Sequence, residues 1–373
     1  MSRRSTEPKL AQYLHKKGRQ LGLPIAGNFE LTARCNFHCP MCYVHLSSEE
    51  VRARGGELTA AQWLDIARAA RDQGMVFALL TGGEPLVRKD FFEIYDGMRE
   101  MGLLLSINSN GSLLRGEILE RFLENPPFRF NISLYGGCDE TYRQMCGLPV
   151  YSQVKENIRA LRKAGIDVSL NLSITPYNRN DLEKIYADAV ELDVNVKGSS
   201  YMYPPIRING GDYGCGNRLS AEDSAACSVA WDRLRFTPEQ FALRAENMAK
   251  LVNKDRDGCP VEEGEGVRCR AGSTSFWLTW DGKMTACGMM TEPVAFPLET
   301  GFEAAWEQLR HQVSGIRTPA ECVSCDHREI CGVCSAVCLT ETGRFDAVPD
   351  YVCRRAKEIV RQTQLAWEER TPK

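Results

Sequence analysis

The sequence predicts an α/β fold: a parallel sheet of βα units followed by a smaller cysteine-rich domain. Three observations carry that expectation. Six short apolar runs alternate with amphipathic stretches between residues 25 and 203, the order that βα units impose. A proline- and glycine-rich connection then runs from Tyr203-Pro204-Pro205 to Gly214-Cys215-Gly216. Beyond it, nine of the sixteen cysteines crowd into residues 259–353.

Residues 1–24 form a basic lead-in with the composition of one helix. The first strand is expected over 25–33. A helix is expected over 59–74, opened by a capping box between Thr59 and Gln62 and closed by Gly74. The continuous apolar run 75–81 reads as a buried parallel strand. Asp90 is placed to cap a helix ending at Gly102, and strand 103–108 follows. Next come helix 113–123, strand 128–134, helix 152–164 closed by Gly165, strand 166–174, helix 181–192 and strand 194–203. Two helices, 221–235 and 238–253, follow the connection, and a charged terminal helix, 354–369, is expected on the outside. The resulting scheme is a lead-in (1–24), an α/β domain (25–205), a helical linker (206–258), a cysteine-rich domain (259–355) and a C-terminal helix (356–373).

Bulk properties narrow the function. Of 373 residues, 43% are apolar and 25% charged, ordinary values for a globular protein. A net charge of −3, from 46 basic and 49 acidic residues, leaves no footprint for nucleic acid or a membrane surface. Residues 1–14 are basic without an apolar core, and no apolar run approaches membrane-spanning length. The expected compartment is the cytoplasm, where thiols stay reduced and clustered cysteines serve metals or catalysis.

The loop Cys35-Asn36-Phe37-His38-Cys39-Pro40-Met41-Cys42 follows the first strand. It brings three thiols to one small centre, and no further cysteine occurs until Cys138. A closed structural zinc site needs four ligands, so an incomplete zinc knuckle would have to recruit His38 or His45. A four-iron cluster wants one ligand per iron, and three cysteines would leave one iron open to a substrate or a second cofactor. Gly82-Gly83-Glu84-Pro85 follows the second strand: the glycines admit close backbone approach and the glutamate can accept from an ammonium. Asn108-Ser109-Asn110-Gly111 follows the third, and Ser133 ends the fourth. In parallel barrels such loops gather at one mouth. Turn chemistry accounts for Asn108 almost as well as ligand binding does, and a strand-end hydroxyl bonded to backbone accounts equally for Ser133.

The three-cysteine loop, with the Gly-Gly-Glu-Pro block behind it, resembles the signature of the radical S-adenosylmethionine enzymes. That resemblance implies an open, TIM-like partial barrel of six βα units. It implies a 4Fe-4S cluster on Cys35, Cys39 and Cys42, with S-adenosyl-L-methionine on the open iron. Met41, Gly82, Gly83, Glu84, Asn108 and Ser133 would bind the cofactor. Reductive cleavage would give a 5′-deoxyadenosyl radical that abstracts hydrogen from the substrate. One departure stands out: where many relatives carry an arginine after the serine, this chain places Cys146, with Arg143 one helical turn earlier. Cys146 reads as a small buried residue.

The C-terminal cysteines read either as two zinc ribbons or, by resemblance, as the SPASM domain of radical enzymes, which holds two auxiliary 4Fe-4S clusters. The resemblance assigns Cys322, Cys325, Cys331 and Cys353 to the outer cluster and Cys269, Cys287 and Cys334 to the inner one. Only two residues separate Cys331 from Cys334, where three are usual, so Cys338 rivals Cys334, and Cys259 can complete the inner set. Tyr201, Tyr203 and Arg207 lie past the last strand, as substrate contacts or as packing against the second domain. Relatives of this architecture mostly modify peptides or proteins and draw electrons from a carrier such as flavodoxin or ferredoxin. Sulfatase maturases carry a catalytic aspartate directly after the second inner-cluster cysteine. Here that position is Gly288, with Asp281 and Glu292 the nearest carboxylates. The expected activity is oxidation or crosslinking of a ribosomally made peptide or protein. Formylglycine formation and small-molecule dehydrogenation are the alternatives, and a non-enzymatic iron–sulfur or zinc module lacks a use for the Gly-Gly-Glu block.

Overall fold

The computed structural model describes residues 9–205, 217–252 and 263–369. Arg207, Cys215 and Cys259 lie outside the described residues. Among those described, nine strands form one sheet: β1 (Ala26–Glu30), β2 (Phe77–Thr81), β3 (Leu104–Ser109), β4 (Arg129–Ser133), β5 (Val168–Ser173), β6 (Asn195–Ser199), β7 (Ser275–Leu278), β8 (Met284–Thr285) and β9 (Val294–Ala295). Their order is β6-β5-β4-β3-β2-β1-β7-β8-β9. The first six are parallel neighbours in sequence order, separated by helices, so each expected βα unit is present. The sheet is an open partial barrel.

One face of the sheet is apolar and packs under the helices. Phe29 meets Trp63 of helix Ala60–Asp72 at 6.0 Å and Phe276 of β7 at 5.9 Å, all three fully buried. Burial of rings this size dominates core energetics, and truncating one costs about 3–5 kcal/mol. The capping box at Thr59 and Gln62 forms as expected. The other face carries a polar row: Asn131 Nδ2 donates to Asn108 Oδ1 at 3.0 Å, and Asn108 Nδ2 to Thr81 Oγ1 at 3.4 Å.

Four features differ from the expectation or add to it. Asp90 precedes helix Phe91–Glu100, but its carboxylate makes no cap; it accepts from the buried Arg88 guanidinium at 2.7 and 3.0 Å. Short helices Ser48–Ala53 and Asp139–Cys146 stand in stretches to which the sequence reading assigned no element. The cysteine-rich region does not begin a separate layer, because β7 pairs in parallel with β1, Ala26 opposite Ser275. The C-terminal helix, Asp350–Glu368, buries one face, Val352, Ala356, Ile359, Thr363 and Ala366. It packs on helices Ala221–Arg235 and Pro238–Val252, with Arg355 donating to Ser224 Oγ at 2.7 Å and Ser200 Oγ at 3.0 Å.

Candidate functional site

The sheet delivers four loops to one mouth, and the backbone of the cysteine loop is stitched to its neighbours. Gly83 N donates to Thr32 O at 2.8 Å and Glu84 N to Arg34 O at 3.0 Å. A side chain at either glycine would collide there. A Cβ on Gly82 would lie 2.4 Å from Thr32 O, and one on Gly83 2.4 Å from Arg34 O. Gly82 also sits at φ 145°. The glycines are therefore needed first for the approach of two protein loops.

Glu84 is completely buried. Its carboxylate accepts from Asn110 N at 2.7 Å, Leu86 N at 3.2 Å and Ser109 Oγ at 3.1 Å. These bonds tie the Gly-Gly-Glu turn to the end of β3. Burial lifts it from 4.5 to about 7, while those three donors pull it down. Asn110 reaches on to the cysteine loop: its Nδ2 donates to Asn36 Oδ1 at 2.9 Å, and Asn36 Nδ2 donates to Ser112 Oγ at 2.9 Å.

Of the three cysteines, Cys39 is buried and Cys35 and Cys42 are half-buried. Cys35 Sγ accepts from Phe37 N at 3.3 Å. Desolvation pushes the Cys35 thiol up to about 12 and Cys39 higher still, each worsened by its cysteine neighbours. A centre where thiols crowd and resist ionisation fits a cation that supplies the compensating charge. Met41 lies half-buried against the same core. Ser133, half-buried at the end of β4, lies near Tyr135, as does Cys39. His38 and His45 stack edge-on at 4.8 Å, and among the described residues no three His, Cys, Asp or Glu side chains converge on a single ion's position.

The sequence reading missed the brace beneath this loop. Arg34 pairs with Glu57 through two bonds of 3.0 and 2.8 Å. Arg88, 6% exposed, donates to Leu31 O at 2.8 Å and Leu58 O at 2.9 Å, and reaches Glu57 at 3.4 Å. A buried guanidinium with this many acceptors holds the exit of β1 in place. Arg143, offered for the missing arginine, points away: it is exposed and pairs with Glu140. Cys146 is fully buried, its thiol donating to Tyr142 O at 3.0 Å.

The C-terminal cysteines fall into two neighbourhoods. Cys353, Cys331 and Cys325 lie close enough to Cys322 to add to the burial that pushes its thiol up, and Cys325 does the same to Cys331 and Cys353. Tyr203 lies beside Cys334, Cys287 and Cys269 together. Cys338 is fully buried on helix Ser335–Thr342, next to Cys322, Cys334 and Cys331. Tyr201 faces the cysteine-rich segment, donating to Glu341 at 2.8 Å. A Cβ on Gly288 would lie 2.8 Å from the Trp277 ring, so the position has no room for a carboxylate side chain. Asp281 is engaged in the β7–β8 turn, accepting from Lys283 Nζ at 2.6 Å.

Comparison with known proteins agrees with this geometry. The Radical SAM superfamily matches residues 29–189. A PqqA peptide cyclase of Streptomyces rochei is 30% identical over 281 residues, covering 75% of this chain and 72% of the relative. An AdoMet-dependent heme synthase of Methanosarcina barkeri is 26% identical over 330 residues, covering 85% of this chain and 93% of the relative. Two solved folds are similar at 16% identity: anSMEcpe with bound AdoMet (TM-score 0.66, 93% of this chain, 99% of that one) and Streptococcus suis SuiB with S-adenosylmethionine (TM-score 0.62, 92% and 79%). The chain belongs to the radical SAM superfamily and is an enzyme. Membership implies S-adenosylmethionine and one four-iron cluster as cofactors. Among the described residues, no helix is long and apolar enough to cross a membrane.

Proposed function

We propose that this enzyme oxidises or crosslinks a ribosomally made peptide or protein in the cytoplasm. The observation that carries the substrate class is the 30% identity to a peptide cyclase across 75% of the chain. SuiB bound to precursor peptide SuiA and anSMEcpe bound to Cp18Cys peptide share the fold that would present such a substrate.

The cofactors supply a 5′-deoxyadenosyl radical that takes hydrogen from an unactivated carbon. The chain's residues hold and aim that chemistry. Cys35, Cys39 and Cys42 would ligate three irons and leave the fourth open. Gly82 and Gly83 present bare backbone at the mouth, and Glu84 keeps that turn locked to β3. Ser133 on β4 and Asn108 on β3 would take the cofactor's carboxylate and ribose, with Met41 from the cysteine loop beside them. Cys322, Cys325, Cys331 and Cys353 would hold an outer auxiliary cluster, and Cys269, Cys287 and Cys334 an inner one. A flavodoxin or ferredoxin would supply electrons. Gly288 supplies no base at the position where sulfatase maturases carry an aspartate, which disfavours formylglycine formation.

A second reading rests on the heme synthase of Methanosarcina barkeri, which aligns over 85% of the chain. It would make the substrate an iron porphyrin. Anaerobic incubation with S-adenosylmethionine and reductant separates the readings by mass. The arms are a cysteine-containing precursor peptide, a sulfatase-motif peptide and an iron porphyrin bearing propionates. Two hydrogens lost from the precursor peptide is the expected result; decarboxylated porphyrin, or formylglycine, overturns it. Cys35→Ala, Cys39→Ala and Cys42→Ala are each expected to abolish 5′-deoxyadenosine formation, measured chromatographically.

A further inference from the structure

Two side chains outside every sequence motif meet beside the three-cysteine loop. Tyr177 stands in the turn that leaves β5, and the fully buried Asn178 pins that turn: Thr175 N donates to Asn178 Oδ1 at 2.8 Å, and Asn178 Nδ2 donates to Ser173 O at 2.9 Å. Asn217 stands four residues before helix Ala221–Arg235. The Tyr177 hydroxyl donates to Asn217 Oδ1, and Asn217 Nδ2 donates to Pro40 O at 3.2 Å. A carbonyl can only accept, so the amide nitrogen must face Pro40 and the amide oxygen Tyr177. The next two residues are anchored on the C-terminal segment. The Arg218 guanidinium lies 3.5 Å over the Tyr351 ring and donates to Glu341 at 3.0 Å, while Leu219 O accepts from the Tyr351 hydroxyl at 2.9 Å. Residues 217–219 are thus a strap, held at one end by the C-terminal segment and gripping the cysteine loop at the other.

Pro40 and Met41 are the central residues of a turn closed by Cys42 N donating to Cys39 O at 3.0 Å. That closing bond does not involve the peptide between Pro40 and Met41. The peptide is trans, so its C=O and N–H share a plane and point opposite ways. A grip on Pro40 O therefore also aims Met41 N–H. We propose that Asn217, oriented by Tyr177, is a positioning residue: its bond to Pro40 O fixes this peptide and thereby sets the affinity of the mouth for S-adenosylmethionine. The inference rests on the reading of Met41 and its loop as part of the cofactor site. Other bonds hold the ends of the loop, His38 N to Cys146 O and Leu46 N to Ala33 O, both at 3.0 Å. Loss of the Asn217 bond then loosens the central turn and leaves the three cysteines in place.

The test compares reconstituted wild type with Asn217→Ala, Asn217→Asp, Tyr177→Phe and the Asn217→Ala, Tyr177→Phe double variant. Three quantities are read: iron content, the Kd for S-adenosylmethionine by anaerobic equilibrium dialysis, and the rate of 5′-deoxyadenosine formation at saturating cofactor. Equal iron and equal saturated rates are expected throughout. Asn217→Ala should raise the Kd about fivefold, the scale of one hydrogen bond. Asn217→Asp keeps the size of the side chain but turns an acceptor on Pro40 O, so it should bind more weakly than Asn217→Ala. Tyr177→Phe removes one hydroxyl from an exposed ring; it should raise the Kd about twofold and add nothing in the Asn217→Ala background. It also carries the test should an Asn217 variant fail to fold. Wild-type affinity in the Asn217 variants overturns the inference, and so does Asn217→Asp binding better than Asn217→Ala. A Tyr177→Phe effect that survives in full in the double variant overturns it too, because Tyr177 would then act without Asn217. Lost iron, or a lower saturated rate at unchanged Kd, likewise overturns it, since Asn217 would then assemble the cluster or serve the cleavage step. Iron-loaded wild type that binds no S-adenosylmethionine overturns the cofactor reading itself, an outcome distinct from a Kd that the variants leave unmoved.

Discussion

The two groups of cysteines are held in opposite ways. Around Cys35, Cys39 and Cys42 the protein supplies the frame itself. Glu84 ties two loops together, Asn110 and Asn36 tie a third, and Arg88 and Glu57 brace the strand exit from below. Around Cys322 to Cys334 the described elements are four-residue helices, Ala320–Val323 and Arg328–Cys331. Helices that short have no cooperativity of their own. The cysteines there neighbour one another and Arg328. The barrel loop is thus a socket built by protein contacts, whereas the C-terminal segment, if its thiolates hold clusters as proposed, would take its order from them.

Iron removal should separate the two regions most strongly. After anaerobic chelation, hydrogen exchange is expected to lose protection across residues 319–338, while β1 to β5 and the 32–46 loop keep theirs. Equal loss in both regions would break the comparison.

A narrower insult should strike the socket alone. Gly83→Ala puts a Cβ 2.4 Å from Arg34 O and 3.0 Å from Ala33 O, backbone atoms that cannot step aside. The variant should lose about 3 kcal/mol of stability and most 5′-deoxyadenosine formation. Iron held by the C-terminal cysteines should be unchanged, which iron analysis of Gly83→Ala combined with Cys35→Ala reads directly.

Glu84 sharpens the same point through pH. The folded carboxyl keeps its proton to about 7, the unfolded one only to 4.5. Between those values the folded state binds more protons, so this group's contribution to stability falls as pH rises. Displacement from 4.5 to about 7 is worth about 3 kcal/mol. Glu84→Gln abolishes the titration but turns an amide N–H toward a backbone donor, a cost of about 1–3 kcal/mol. The stability lead of wild type over Glu84→Gln should therefore shrink from pH 5 to pH 7.5 in unfolding midpoints. A lead constant with pH would mean that Asn110, Leu86 and Ser109 keep the carboxylate ionised throughout.

The same contrast explains what was legible in the sequence. All six βα strands were, because alternation of apolar runs and helices is a local signal. Most observed ends are shorter by one to four residues, while β2 keeps its end at Thr81 and β3 runs one residue further, to Ser109. β7 was not legible: four residues, Ser275–Leu278, join a strand some 250 positions earlier, and nothing local encodes that. The Gly-Gly-Glu turn announced itself, but its neighbours did not: the close approach of its glycines to Thr32 and Arg34 appears only in the fold. Arg88 looked like any charged residue before a helix. Its burial under Leu31 and Leu58 depends on three separated segments meeting. The cysteine spacings pointed to ligand sets, yet only the fold shows which cysteines share a neighbourhood.

Cys338 gives the smallest expected effect and the finest division between the regions. It rivals Cys334 by spacing, and the fold puts it next to Cys322, Cys334 and Cys331. Yet it is fully buried among Val333, Val337 and Val352 and stands on the outer side, whereas Cys334 shares Tyr203 with Cys287 and Cys269. Cys338→Ala should therefore cost on the order of 1 kcal/mol, the price of a small cavity, and leave iron content untouched. Cys334→Ala should instead remove about four irons. If iron falls in Cys338→Ala and not in Cys334→Ala, the inner set belongs to Cys338. The boundary between the two C-terminal neighbourhoods would then run one helical turn later than the packing around Tyr203 indicates.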